Sequence, residues 1–140
     1  MKIWIDTEFN DYQGSLISIA LVDAEGRTFY EAPWCNEVLT EWVRDNVSPV
    51  VGIPCTSLRL VQHKLEVWLE PYTSVHLIAD WPDDIRHFCD LLITGPGKRI
   101  STPRLTMEIR RDLDGAQSAI PHNALQDAIA IKNEYLRLTQ

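Results

Sequence analysis

Apolar and polar positions along this chain repeat with two different periods, and the changes of period mark out its elements. Residues 2–8, Lys-Ile-Trp-Ile-Asp-Thr-Glu, begin as a short apolar strand and run straight into carboxylates. Ser15 to Asp23 is almost continuously rich in Ile, Leu and Val, the pattern of a strand covered on both faces. Ala24-Glu-Gly26 is a tight turn, so Arg27 to Glu31 is expected to return as the second arm of a hairpin. Residues 36–46 change to helical spacing through Val38, Leu39, Trp42 and Val43, with Asn36 as the expected N-cap. After a loop punctuated by Pro49, Gly52 and Pro54, Thr56 is expected to cap a second helix. Its stripe is Leu58, Val61, Leu65, Trp68 and Leu69, and Pro71 stops it.

Ser74 to Ala79 reads as a strand that ends at Asp80. Pro82, in the first turn, and the acidic Asp83 and Asp84 open a third helix, whose buried face is Ile85, Phe88, Cys89 and Leu92 and whose end is Gly95-Pro-Gly97. Residues 104–110 suit another strand and residues 123–138 a final helix. Hairpin first, then helices alternating with strands, predicts one mixed sheet with helices packed on it. No composition shift marks a boundary, so residues 1–140 are expected to form a single domain.

The apolar start is cut off by Asp6, and the other apolar runs are strand-sized, which excludes a signal peptide or membrane span. A cytoplasmic protein is expected. Cys35, Cys55 and Cys89 are odd in number and far apart, a pattern that fits neither a disulfide framework nor a zinc site. The net charge of −7 runs against simple nucleic-acid binding. Bound divalent cations would offset it. Between Gly95 and Arg111, moreover, Lys98, Arg99, Arg104, Arg110 and Arg111 stand against Glu108 alone. Such a stretch either tracks a phosphate backbone or is an ordinary solvated face.

The candidate chemistry lies in carboxylates. Residues two apart on a strand share a face, so Asp6 and Glu8 project together. Taken alone the pair is more simply a polar strand end at the surface, but a divalent cation would turn its like charges into a site. Asp80 stands where a strand gives way to a helix, the usual location of sites in open α/β sheets, although it could equally be a helix cap. Asp127 is the clearest anomaly: it interrupts the apolar stripe Ala124, Ala128, Ile131 and Tyr135 of the last helix. A carboxylate there costs several kcal/mol unless paired or bound to a metal. His122, five residues earlier, is suited to take a proton from a water beside such a metal. His63, His76 and His87 have no such company and are expected to be structural.

Asp6-Thr-Glu8 on the first strand, an Asp after a middle strand, and His122-Asn-Ala-Leu-Gln-Asp127 at the last helix resemble the DEDDh exonucleases. These form the DnaQ-like branch of the ribonuclease H fold, which includes ribonuclease T and oligoribonuclease. The resemblance spans the chain in motif order, and Asp80-Trp-Pro-Asp-Asp84 looks most like the small stand-alone exoribonucleases. It implies an α/β, ribonuclease H-like fold with a mixed five-stranded sheet and helices on both faces. It also implies two Mg²⁺ or Mn²⁺ ions held by Asp6, Glu8, Asp80 and Asp127, with Asp6 common to both ions and His122 as general base. The implied activity is 3′→5′ release of nucleoside 5′-monophosphates from RNA ends. Alternatives are the same chemistry on DNA or an idle nucleic-acid-binding module, and a homodimer is implied by family members. Two departures stand out. The second motif lacks the usual Asn and aromatic before its Asp, which keeps Asp83 and Asp84 beside Asp80 as alternatives, and the first continues as Phe9-Asn10 rather than Thr-Gly. Thr7 and Phe9 are the expected nucleotide contacts, with Phe9 either stacking on a base or packing in the core.

Overall fold

The computed structural model describes residues 1–140. Its strands are β1 (Lys2–Phe9), β2 (Leu16–Asp23), β3 (Thr28–Glu31), β4 (Ser74–Ala79), β5 (Ile93–Gly95), β6 (Lys98–Arg99) and β7 (Arg104–Ile109). Its helices are α1 (Glu41–Asn46), α2 (Leu58–Leu69), α3 (Pro82–Leu92) and α4 (Ala124–Leu138). A five-stranded sheet runs in the order β3-β2-β1-β4-β7. β1, β2 and β3 pair antiparallel, whereas β4 runs parallel to both β1 and β7, so the sheet is mixed and the fold α/β.

Strand alternation divides the core into two layers. Ile3, Ile5, Ile19 and Leu21 point to one face, where Val61 and Leu65 of α2 and Phe88 and Leu91 of α3 cover them. Trp4 and Ile78 point to the other and meet Ile131 and Tyr135 of α4, Trp4 and Tyr135 in edge contact with centroids 5.3 Å apart. Ala20 and Val22 face Ala124 and Ala128, small side chains at the start of α4 that seat its first turns on β1 and β2. Each fully buried large side chain contributes roughly 1.5–3 kcal/mol, so the two layers fix α3 and α4 against opposite faces of β1.

Three boundaries differ from the sequence expectation. α1 starts at Glu41, capped by Thr40 rather than Asn36, and Val38 is 94% exposed. The reason is Asn10. Its side-chain amide donates to the Val38 carbonyl at 3.1 Å and its Oδ1 accepts from the Thr40 amide at 3.0 Å, holding residues 38–40 out of the helix. α2 is capped by Ser57, because the Thr56 amide is engaged with the Ala32 carbonyl at 2.9 Å. α3 ends at Leu92, and Gly95-Pro-Gly97 forms the turn of the small β5–β6 hairpin beyond it, with Gly97 at φ 67°.

Candidate metal centre

The site assembles where β1 and β4 end. Thr7 continues the face of Ile3 and Ile5, toward α3, while Asp6 and Glu8 continue the face of Trp4, toward α4. The parallel neighbour β4 brings Asp80 to the same end. α3 then opens with Pro82 in its first turn and turns Asp84 inward, leaving it 2% exposed. From the other layer α4 opens with Asn123, whose side chain accepts from the Gln126 amide, and carries Asp127 on its first turn.

Two carboxylate triads result. Oxygens of Asp6, Asp80 and Asp84 lie within 4.8 Å of one another, and so do oxygens of Asp6, Glu8 and Asp127. Asp6 belongs to both. The four sequence-predicted carboxylates are therefore brought together, and Asp84 joins them as a fifth.

Of the two acidic residues expected to serve as first-turn charges of α3, only Asp83 does no more than that. Asp83 fits that description: it pairs with Arg86 at 3.0 Å and accepts from the Trp81 indole at 2.8 Å. Asp84 is buried, and its Oδ1 accepts from both the Thr7 hydroxyl at 2.6 Å and the Thr7 amide at 3.0 Å. The signal was in the sequence, since Asp84 stands four residues before Phe88 and seven before Leu91 on the buried face. Thr7, expected to touch a nucleotide, has its hydroxyl and amide committed to Asp84 and so positions that carboxylate.

Electrostatics sharpen the picture. Asp6 is pushed well above the ordinary carboxylate range by burial, then by the charges of Asp84, Glu8, Asp127 and Asp80. Burial and the neighbouring Asp127 raise Glu8 to about 9. Asp84 is raised to about 8, burial outweighing the hydrogen bonds from Thr7. Burial also raises Asp80, against the nearby Arg111 charge, and Asp127, against the His122 amide that donates to its Oδ2 at 3.1 Å. Asp6 Oδ2, Asp80 Oδ1, Asp84 Oδ2 and Asp127 Oδ1 are buried without a hydrogen-bond partner. Buried, unpartnered, mutually repelling oxygens are costly unless a cation sits among them. An all-oxygen donor set with carboxylates on both sides of Asp6 fits hard divalent cations such as Mg²⁺ or Mn²⁺.

His122 lines a cleft of about 250 Å³ together with Asp6, Asp80 and Asp127. Its backbone is left-handed at φ 69°, and its ring stands nearly perpendicular to that of Trp42 with centroids 4.9 Å apart. Phe9 is half-buried against the buried His87, 5.1 Å between centroids, so core packing accounts for part of its surface. His76 pairs with Glu108 at 2.8 Å on the sheet, away from the triads. Comparison with family models and with curated proteins finds no match.

The basic stretch expected to act as a unit is divided. Arg104 pairs in register with Ser74, at the opposite end of β4 from Asp80, a separation of about 17 Å for six strand residues. Lys98 and Arg99 lie in the hairpin beyond the far end of α3. Arg110 is occupied by Asp112 at 2.5 Å and Glu108 at 3.7 Å. Of the five, Arg111 alone reaches the site: its Nη1 donates to the Asp80 carbonyl, and its guanidinium lies 4.4 Å over the Trp81 ring. The three cysteines are free, and Cys89, expected in the core, is only half-buried. No helix is long and apolar enough to cross a membrane.

Proposed function

We propose that this chain is a metal-dependent 3′→5′ exonuclease of the DEDDh type, with a ribonuclease H-like fold, acting on RNA 3′ ends in the cytoplasm. The observation that carries the reading is Asp6, the carboxylate common to two triads, with His122 on the wall of the same cleft. Asp6, Glu8 and Asp127 would hold one Mg²⁺ or Mn²⁺ ion, and Asp6, Asp80 and Asp84 the second. Such a pair supplies the positive charge that stabilises attacking and leaving oxygens in an in-line displacement at phosphorus.

The remaining work falls to the chain's own groups. His122 accepts the proton from the attacking water, so its ring must be neutral when substrate binds. The Trp42 ring, nearly perpendicular to it, restricts that ring, and the His122 amide ties its backbone to Asp127. The water oxygen bonds to phosphorus, the bond to the 3′-oxygen breaks, and that oxygen regains a proton. A nucleoside 5′-monophosphate and a strand shorter by one residue leave. Thr7 holds Asp84 in place through two hydrogen bonds.

RNA rather than DNA, and a homodimeric state, rest on the resemblance to small exoribonucleases alone. The test uses 3′-end-matched RNA and DNA strands labelled at the 5′ end, with Mg²⁺ or Mn²⁺. A ladder that shortens from the 3′ end and disappears in His122→Ala is expected. Internal cuts, or activity indifferent to that substitution, would overturn the reading. If neither strand is shortened but both are bound, the chain is an idle binding module of the same architecture.

A further inference from the structure

Five carboxylates meet in this site, and the two divalent cations of the exonuclease reading would neutralise only four of them. A phosphodiester approaching such a centre meets a residual negative charge in addition to its own. Unless another cation stands at the entrance, strand binding is opposed at the point where it must be closest.

Arg111 is placed for that task. Its Nη1 donates to the backbone carbonyl of Asp80, and its Cζ stands over the Trp81 ring, 4.4 Å from the ring centre. Trp81 is itself held, because its indole N–H donates to Asp83 Oδ2 at 2.8 Å. The guanidinium is thus fixed by a carbonyl and an aromatic face while remaining exposed to solvent. The neighbouring arginines differ in kind: Arg86 is paired with Asp83 and Arg110 with Asp112, whereas Arg111 forms no ion pair. A guanidinium anchored by neutral groups keeps its full charge and several N–H donors for an incoming anion, and its planar fork suits phosphate oxygens.

We propose that Arg111, held by Trp81 and the Asp80 carbonyl, binds a backbone phosphate of the strand whose end is cut, and supplies the charge that the fifth carboxylate leaves unmatched. The inference rests on the exonuclease reading and names the contact that draws the strand to it. Because the contact is to phosphate, it holds for RNA and DNA strands alike.

Binding of a fluorescent oligoadenylate, followed by anisotropy across a salt series with Mn²⁺ in a His122→Ala background, tests it without turnover. Arg111→Ala is expected to weaken binding about tenfold at low salt and to flatten the log–log salt dependence by about 0.7, one phosphate contact on a single strand. Arg111→Lys retains the charge and should recover most of that slope. The Mn²⁺ midpoint for thermal stabilisation should stay within twofold of the parent in both variants. An unchanged salt slope in Arg111→Ala overturns the proposal, as does a shifted Mn²⁺ midpoint, which would make Arg111 a scaffold for Asp80. Failure of the exonuclease reading looks different: the parent protein would shorten no oligonucleotide from its 3′ end, whether or not it binds one.

Discussion

The carboxylate cluster should make the metal-free protein less stable as the solution becomes more basic, and divalent cations should remove that dependence. Glu8 ordinarily titrates at 4.5 and in the fold is raised to about 9, while Asp84 goes from 3.8 to about 8. Above the lower value the unfolded chain has released its proton and the native chain still holds one, so the native state binds more protons. Stability is then fully present below about 4 and drains as pH climbs toward 8–9. At about 1.4 kcal/mol per tenfold change, Glu8 alone accounts for roughly 3 kcal/mol between pH 4.5 and 7. Asp84 shares Asp6 with it, so the two losses overlap, and about 4 kcal/mol is a reasonable total for the cluster. For a chain of this length that is a fall in Tm of about 12 °C. Calorimetry in chelator at pH 5, 6, 7 and 8 reads it directly, and a parallel series in millimolar Mn²⁺ should be nearly flat. Asp6→Asn removes the carboxylate common to both triads, so it should abolish the Mn²⁺ effect, while the chelator series keeps most of its slope because burial, Asp127 and Asp80 still raise Glu8 and Asp84. A Tm that is constant or rises with pH in chelator would refute the reasoning, since the oxygens would then be solvated rather than confined.

His122→Ala should lower kcat by about 10²–10⁴-fold while leaving Mn²⁺ stabilisation intact, and a lost metal response would mean the ring belongs to the metal site instead. Asp84→Asn should weaken Mn²⁺ binding sharply while Asp83→Asn leaves it within twofold, as read by the same thermal titration. Equal effects from the two variants would contradict the role of burial in choosing between them. Gly14→Ala should cost about 2 kcal/mol or more, because a Cβ there would stand 1.8 Å from the Asn10 carbonyl oxygen and displace the turn that orients residues 38–40. Urea denaturation with an unchanged midpoint would disprove that contact.

Elements with a strong period were legible in the sequence, and those decided by long-range polar contacts were not. The stripes of α2, α3 and α4 announce themselves because each buries one face on the sheet. Helical spacing from residue 36 overstates α1, because Asn10, some thirty positions away, ties down the segment before it. Asp127 stood out as a charge on an apolar stripe, and Asp84 carried the same mark, obscured by Asp83 beside it and by the acidic preference of a helix start. Thr7 illustrates a further limit: strand alternation correctly turned it away from Asp6 and Glu8, yet it reaches the centre through α3 on the opposite layer. The basic stretch looked unified because sequence proximity hides a parallel strand that carries its ends apart.

The triads draw on Asp6, near the start of the chain, and Asp127, on its last helix, and Asp6 belongs to both. A chain that has folded only its sheet and α3 can bring Asp6, Asp80 and Asp84 together, but Glu8 waits for Asp127 on α4. The two triads therefore close at different moments, and a cation that needs Asp6, Glu8 and Asp127 together finds them only once α4 has docked on β1 and β2.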